Sequence, residues 1–297
     1  MEAYYPRLIA PVRRVGKRYF DFSAKIVVMA IVNVTPNSGL DPNRSLDMGR
    51  AVATAERAIR EGADWIDVGG RAFRADQEPL TAEQEIARVV PAIREIRAAT
   101  DAVISVDTHL ARVAEAACEA GADVVNSTNG LRDPGLAEVI ADAGAGVVIA
   151  HSLVGPHVHA ARPAYRDVVR ETKHFLRDQL GHALASKIEP ERIFIDPGHD
   201  LNKTTDHSNE LTRRLPEITE LGYPTVVAVS NKHFVRESLG VGRDHPMLTE
   251  GTVAANVICA FNGARIVRVH DVGANVTAMR AVEALLRLRD TDGPGGS

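Results

Sequence analysis

Short, largely apolar runs recur along the chain, and most of them end at a polar residue. The first covers residues 27–32 and ends at Asn33, and the sixth covers 193–195 and ends at Asp196. The others occupy residues 65–68, 103–106, 123–125, 146–150, 226–229 and 265–269. Apolar runs of this length are typical of strands buried on both faces. The pattern therefore predicts about eight buried strands with polar groups at their carboxyl ends.

The segments between these runs are long enough for helices, for example over residues 45–59, 165–186 and 205–221. Strands that alternate with helices favour right-handed βαβ units and a parallel sheet. Eight such units predict an α/β fold, a single-domain (β/α)₈ TIM barrel. We assign residues 26–290 to the barrel and 1–25 to an N-terminal extension with a short hairpin that closes its bottom. Residues 291–297 are glycine-rich and predict a disordered tail.

Composition excludes several classes of partner. The chain has 35 basic and 39 acidic residues, a net charge of −4, and no basic stripe, so a nucleic-acid partner is not expected. No long apolar run predicts a membrane span or an export signal. The two cysteines, Cys118 and Cys259, lie among alanines and valines, so we expect buried thiols rather than a disulfide. Free thiols are consistent with a reducing cytoplasm. His151, His199 and Asp200 match no strong zinc-ligand spacing, so no built-in transition metal is expected.

Polar residues at three strand ends are candidates for ligand binding. Asp107, Asn126 and Asp196 follow the third, fourth and sixth barrel strands and should face one mouth. Helix capping and loop bracing are the alternatives for each of them. Two carboxylates beside an amide would suit a flat heterocycle that presents several N–H groups.

A basic group is expected at the neighbouring rim positions. Lys232 follows the seventh strand and could donate to a ring oxygen or nitrogen, or be a solvated lysine. Arg268 and His270 alternate along the eighth strand and should share one face. Together with Asn33 they suit an anionic phosphate group, whereas an ion pair with a neighbouring carboxylate is the alternative for Arg268.

Seven ordered motifs carry a resemblance to a known family. They occupy residues 29–38, 66–70, 104–108, 125–126, 195–198, 230–232 and 268–270. At these positions the chain resembles the dihydropteroate synthases and, more broadly, the pterin-binding TIM barrels. The resemblance spans residues 26–290 and is greatest to the divergent second copy of this enzyme found in some actinobacteria.

The resemblance implies a transferase that joins 6-hydroxymethyl-7,8-dihydropterin diphosphate to 4-aminobenzoate or a related amine and releases diphosphate. It also implies Mg²⁺ and a homodimer. The pterin would be held by Asp107, Asn126, Asp196 and Lys232. The diphosphate would be bound by Asn33, Arg74, Arg268 and His270, with Asn33 also on the metal. The residues implied in catalysis are Lys232, Arg268 and His270, and those around the acceptor are Phe73, Leu201 and Ser230.

Departures from the family pattern concentrate on the acceptor side. The second loop carries Phe73 where threonine is usual, the sixth loop replaces a Gly/Phe pattern with residues 199–202, and the seventh has Asn231 in place of arginine. Two alternatives follow. The chain is a catalytically inactive pterin-binding paralogue with a regulatory role, or a transferase that uses another amine or aryl acceptor. Methyl transfer from a reduced folate ranks last, because it leaves Arg268 and His270 without an anion.

Overall fold

The computed structural model describes residues 2–34, 44–70, 80–154, 163–242 and 245–288. The strands, in chain order, are β1 (Val12–Val15), β2 (Arg18–Asp21), β3 (Val27–Asn33), β4 (Trp65–Gly69), β5 (Val103–Asp107), β6 (Val124–Leu131), β7 (Gly146–Ala150), β8 (Ile193–Asp196), β9 (Val226–Val227) and β10 (Ile266–Val269). The helices are α1 (Arg44–Arg60), α2 (Ala82–Ala99), α3 (Ala111–Glu119), α4 (Leu136–Ala143), α5 (Val168–Ala185), α6 (Thr205–Arg213), α7 (Leu215–Thr219), α8 (His233–Leu239), α9 (Met247–Phe261) and α10 (Val272–Leu285).

Strands β3 to β10 form one parallel sheet in the order β8-β7-β6-β5-β4-β3-β10-β9. A parallel bridge between Ile195 and Thr225 joins β8 to the residues just before β9 and closes the sheet into a barrel. Helices follow the strands along the chain and pack on the outside of the barrel. The expected (β/α)₈ TIM barrel is confirmed.

The core has two parts because successive strand residues face opposite sides of the sheet. Residues such as Ile66 and Ile104 pack outward against the helices. Trp65 and Phe194 face inward and meet edge to face, with ring centroids 5.1 Å apart. The β1–β2 hairpin adds Phe20 to this inner cluster and closes the barrel opposite the carboxyl ends of the strands, as expected.

Several elements differ from the sequence-based expectation. The fourth barrel strand, β6, continues to Leu131 instead of ending at residue 125. Residues 205–221 form two helices rather than one, and the chain breaks between them at Arg214, two residues before Pro216. Proline lacks an amide hydrogen and its ring clashes with the preceding turn, so it favours the start of a new helix over continuation. The seventh barrel strand is shorter than expected and covers Val226–Val227 instead of 226–229.

Both cysteines are free, and burial raises the pKa of Cys118 to about 11 and that of Cys259 to about 12. Both thiols are therefore protonated at neutral pH. Cys259 is buried, as expected, whereas Cys118 is half-buried. In the described parts of the chain, no helix combines the length and the apolar character that a membrane span requires.

Candidate active site

The barrel interior changes from apolar to polar along the inward faces of its strands. Trp65, Val103 and Val124 belong to the inner apolar cluster near the bottom of the barrel. Two positions further along each strand, the inward residues are Asp67, Ser105 and Asn126. Since a strand repeats every two residues, these polar side chains form a layer directly above the apolar floor.

Asp67 is the centre of this polar layer and is fully buried. One of its oxygens, Oδ2, accepts hydrogen bonds from Arg268 Nε at 2.6 Å and from Asn126 Nδ2 at 3.2 Å. Its other oxygen, Oδ1, accepts from the Ser105 hydroxyl. Sequence reasoning did not select Asp67 as a site residue, although a carboxylate inside an otherwise apolar strand is a usable signal because such a charge needs a partner.

Arg268 is held by two carboxylates. Besides Asp67 it contacts Asp107, with Nη2 and Oδ2 2.8 Å apart. The ion-pair interpretation of Arg268 is therefore correct for the described structure. The arginine side chain keeps 16 % of its surface exposed at the mouth, so the pairing leaves part of it open to a ligand.

Asn33 and Asp107 lie level with each other at the rim. Gly69 pairs with Asn33 on one side and with Asp107 on the other. A Cβ atom at Gly69 would lie 3.4 Å from Asn33 Oδ1 and 3.7 Å from Asp107 Cβ, so the absence of a side chain there keeps the space between them open. Asp107 in turn pairs with Asn126. Burial raises the pKa of Asp107 to about 7, and the Arg268 charge opposes that shift.

Asp196 lies at the end of β8 and is buried. Its Oδ1 accepts a hydrogen bond of 2.7 Å from the Gly198 amide, which is the loop bracing that was one of its alternatives. In the part of the chain that is described, Oδ2 makes no such bond and is available to a ligand. Burial raises the pKa of Asp196, while Lys232 opposes the rise.

Lys232 is the N-cap residue immediately before α8 and is half-buried, so the solvated alternative does not hold. Its Nζ donates to the backbone oxygen of His199. Burial lowers the pKa of Lys232, and the charges of Asp200, Asp196 and Asp107 counteract it. Lys232 and Arg268 each interact electrostatically with both Asp107 and Asp196, so the four side chains lie near one another at the carboxyl ends of the strands.

His270 and Ser230 form a hydrogen-bonded pair at the same rim. The Ser230 hydroxyl accepts from the His270 amide at 3.2 Å and lies 3.0 Å from His270 Nδ1. A hydroxyl that accepts from the amide can donate its own hydrogen to Nδ1, which places the ring hydrogen on Nε2. Burial and the nearby Arg268 and Lys232 charges lower the pKa of His270 to about 4.

The remaining predicted residues divide between the described and undescribed parts of the chain. Leu201 is half-buried in the loop after β8, and Ser230 bonds to His270 as given above. Phe73 and Arg74 lie outside the described residues. The acceptor pocket as a whole therefore stays a prediction.

The buried histidines beside the mouth have other partners than metals. His151 Nδ1 lies 2.8 Å from Lys203 Nζ, and His199 Nε2 lies 3.2 Å from the Thr212 hydroxyl. Within the described ranges, no group of three or more His, Cys, Asp or Glu side chains could hold a metal ion.

A closed β/α barrel with charged side chains gathered at the carboxyl ends of its strands has the architecture of a TIM-barrel enzyme. Residues 29–270 match the family model of the pterin binding enzymes. The chain belongs to this family, and it is similar to proteins named dihydropteroate synthase and inactive dihydropteroate synthase 2.

Three relatives illustrate the similarity. The chain is 39% identical over 274 residues to a Mycobacterium leprae protein named inactive dihydropteroate synthase 2, covering 90% of this chain and 92% of that protein. It is 38% identical to the dihydropteroate synthase of Neisseria meningitidis serogroup C, covering 87% of this chain and 92% of the relative. The solved structure of Xanthomonas albilineans dihydropteroate synthase with 4-aminobenzoic acid superposes with a TM-score of 0.84 at 36% identity, covering 93% of this chain and 98% of that one.

Proposed function

We propose that this protein binds 6-hydroxymethyl-7,8-dihydropterin diphosphate in the barrel mouth and transfers its pterin-methyl group to an aromatic amine, with release of diphosphate. The observation that carries the proposal is the meeting of Asp107, Asp196 and Lys232 around Arg268 at one rim. Family membership and the names of the relatives support it.

The pterin ring fits the polar layer by hydrogen-bonding chemistry. Asp196 Oδ2 offers a buried acceptor for ring N–H groups, and Asp107 offers another beside it. Asn126 can both donate and accept, and the Lys232 ammonium can donate to a ring oxygen or nitrogen. A buried carboxylate that receives such donors gains the partner that its burial requires.

The reaction is a displacement at the methylene carbon next to the ring. The bond from this carbon to the diphosphate oxygen breaks, and its electron pair leaves with the diphosphate. The amine nitrogen forms the new C–N bond and then loses a proton. Arg268 and the Nε2–H of neutral His270 stabilise charge on the departing oxygens, an effect that is larger where water is excluded. No protein nucleophile is required.

The family also implies Mg²⁺, and Asn33 fits a supporting role for it. Its side-chain oxygen lies at the rim beside the space left by Gly69. Mg²⁺ prefers oxygen ligands, keeps several waters and is commonly held by one or two protein groups plus substrate phosphates. When bound, the ion would neutralise charge on the diphosphate oxygens.

A second candidate is a pterin-binding protein without synthase activity. The Mycobacterium leprae relative at 39% identity is named inactive, and this observation favours the second candidate. Both candidates share the pterin site and differ only in turnover. A transferase with another aromatic amine is an intermediate case, because it would bind pterin and release diphosphate only with its own acceptor.

Calorimetry with 6-hydroxymethyl-7,8-dihydropterin diphosphate tests the shared part. We expect the wild type to bind and Asp196→Asn to bind about 100-fold more weakly, since about two charge-assisted hydrogen bonds are lost. Asp142→Asn is the matched control, because this exposed carboxylate ends α4 away from the mouth. No binding by the folded wild type would contradict the proposal.

Diphosphate release then separates the candidates. Release that depends on 4-aminobenzoate supports the synthase, release that depends on another arylamine supports a different acceptor, and pterin binding without release under either condition supports the inactive protein.

A further inference from the structure

We propose that Asp200 is a positioning residue that fixes Lys232 in the barrel mouth by holding the first turn of α8. This inference rests on the proposed function, in which Lys232 contacts the pterin. Asp200 lies in the loop between β8 and α6, and Lys232 is the N-cap residue immediately before α8. The two residues are 32 positions apart along the chain.

Four contacts join the loop after β8 to the beginning of α8. Asp200 Oδ2 accepts hydrogen bonds from the amides of His233 at 2.5 Å and Phe234 at 3.4 Å. The His199 ring stacks on the Phe234 ring, with centroids 5.6 Å apart and planes 23° apart. Lys232 Nζ donates back to the His199 oxygen. The loop therefore holds both the backbone and the side chain of Lys232.

Asp200 is itself fixed by the helix that follows its loop. Its amide donates to the Ser208 hydroxyl at 3.1 Å, and that hydroxyl lies 3.3 Å from Asp200 Oδ1. One carboxylate oxygen is thus tied to α6 and the other to α8. This arrangement links the two helices through a single side chain beside the mouth.

Electrostatics act in the same direction as the geometry. Lys232 loses hydration on burial, which lowers its pKa. Among the negative charges that oppose this effect, Asp200 has the largest influence. Removal of Asp200 would therefore leave the Lys232 ammonium with less compensating charge as well as a looser backbone.

The backbone conformation at position 200 allows the carboxylate to be removed without disturbing the path of the loop. Asp200 adopts a left-handed conformation with φ +62°, and Asn202 does the same with φ +50°. Glycine adopts this conformation without strain. A glycine at position 200 keeps the loop path but leaves the two α8 amides without their acceptor.

The experiment compares Asp200→Gly with Asp200→Asn and with the control Asn202→Gly. Asparagine keeps an acceptor oxygen and tolerates the left-handed conformation, so it should restore most of the function. The control removes a side chain from the same loop, and the Nδ2 atom of that side chain donates to the Ser152 hydroxyl rather than contacting α8. Hydrogen exchange at the His233 and Phe234 amides and the rate of Lys232 acylation, read by mass spectrometry, need no ligand.

We expect Asp200→Gly to exchange the two α8 amides at least tenfold faster and to change the rate of Lys232 acylation several-fold. Its dissociation constant for the pterin diphosphate should rise about tenfold, while Asn202→Gly should leave the amide exchange, the Lys232 acylation rate and the dissociation constant unchanged. If Asp200→Gly retains wild-type exchange and labelling, the inference is wrong, whatever the ligand does. If exchange and labelling change but the wild type binds no pterin diphosphate, Asp200 still positions Lys232 and the proposed function fails instead. Altered exchange with wild-type pterin affinity would also overturn the functional part of the inference.

Discussion

Asp67→Asn is the substitution that tests most directly whether the polar layer holds the site together. Asp67 is fully buried and accepts three hydrogen bonds, one of them from the Arg268 guanidinium at 2.6 Å. Asparagine has nearly the same shape, but it carries no charge and presents an NH₂ group to donors. Arg268 would keep Asp107 as its partner, and Asn126 would lose an anionic acceptor.

The expected loss of stability follows from these contacts. A hydrogen bond to a charged group contributes roughly 1.5–3 kcal/mol, and breaking a buried pair costs about 3–5 kcal/mol. Because Asp107 still compensates the Arg268 charge, we expect Asp67→Asn to lower the free energy of unfolding by about 3 kcal/mol. An unfolding entropy of roughly 2.1 cal/mol/K per residue amounts to about 0.6 kcal/mol/K for this chain, so Tm should fall by about 5 °C.

Asp64→Asn is the matched control, since Asp64 directly precedes the same strand, β4. It is also buried, and it bonds Lys25 Nζ at 2.5 Å and the Val28 amide at 3.1 Å. Asp64→Asn should lower Tm to a similar extent and leave pterin binding unchanged. Asp67→Asn should in addition weaken pterin binding at least about tenfold, because it releases both Arg268 and Asn126. Calorimetry measures the pterin affinity of both variants, and thermal melts measure their Tm. Equal pterin affinities of Asp67→Asn and Asp64→Asn would refute the reasoning.

One substitution with its control and one titration provide further tests. Gly198→Ala would place a Cβ atom 1.9 Å from the His151 oxygen at φ +71°, so thermal melts should show a loss of about 2 kcal/mol or more, whereas Gly181→Ala, with open space around it, should be neutral or stabilising. His270 should titrate near pH 4 by NMR, so the folded state loses stability as pH falls from about 6.5 to 4; a midpoint above pH 6 would contradict this.

The barrel could be predicted from the sequence because its signal is repeated. Most barrel strands are short, largely apolar runs, and β4, β5, β7 and β8 are buried along nearly their whole length. The predicted rim residues also follow from this repetition, since a polar residue that ends a parallel strand must lie at the same edge as the others. Asp107 and Asp196 therefore lie where the pattern places them.

Other features depend on contacts that no local pattern contains. Asp67 holds Arg268, 201 residues away along the chain, and only the common inward direction of β4 and β10 brings them together. The helix α8 has seven residues, and its first amides bond to Asp200 from a distant loop. Pro216 is a local signal for the break between α6 and α7, and the expectation of one continuous helix neglected it.

Arg268 connects the folding of the mouth with its proposed chemistry. A guanidinium that enters a barrel interior needs carboxylate partners before any ligand arrives, and Asp67 and Asp107 supply them. The two carboxylates lie at different depths in the barrel. Asp67 lies in the buried layer and accepts hydrogen bonds from protein groups, whereas Asp107 lies at the rim and can also accept a hydrogen bond from a ring N–H group. When a ring N–H group binds to Asp107, the share of that carboxylate available to Arg268 decreases. The unit charge of Arg268 would then be less compensated by Asp107 and would attract the diphosphate more strongly, so the two halves of the proposed substrate would assist each other through one ion pair.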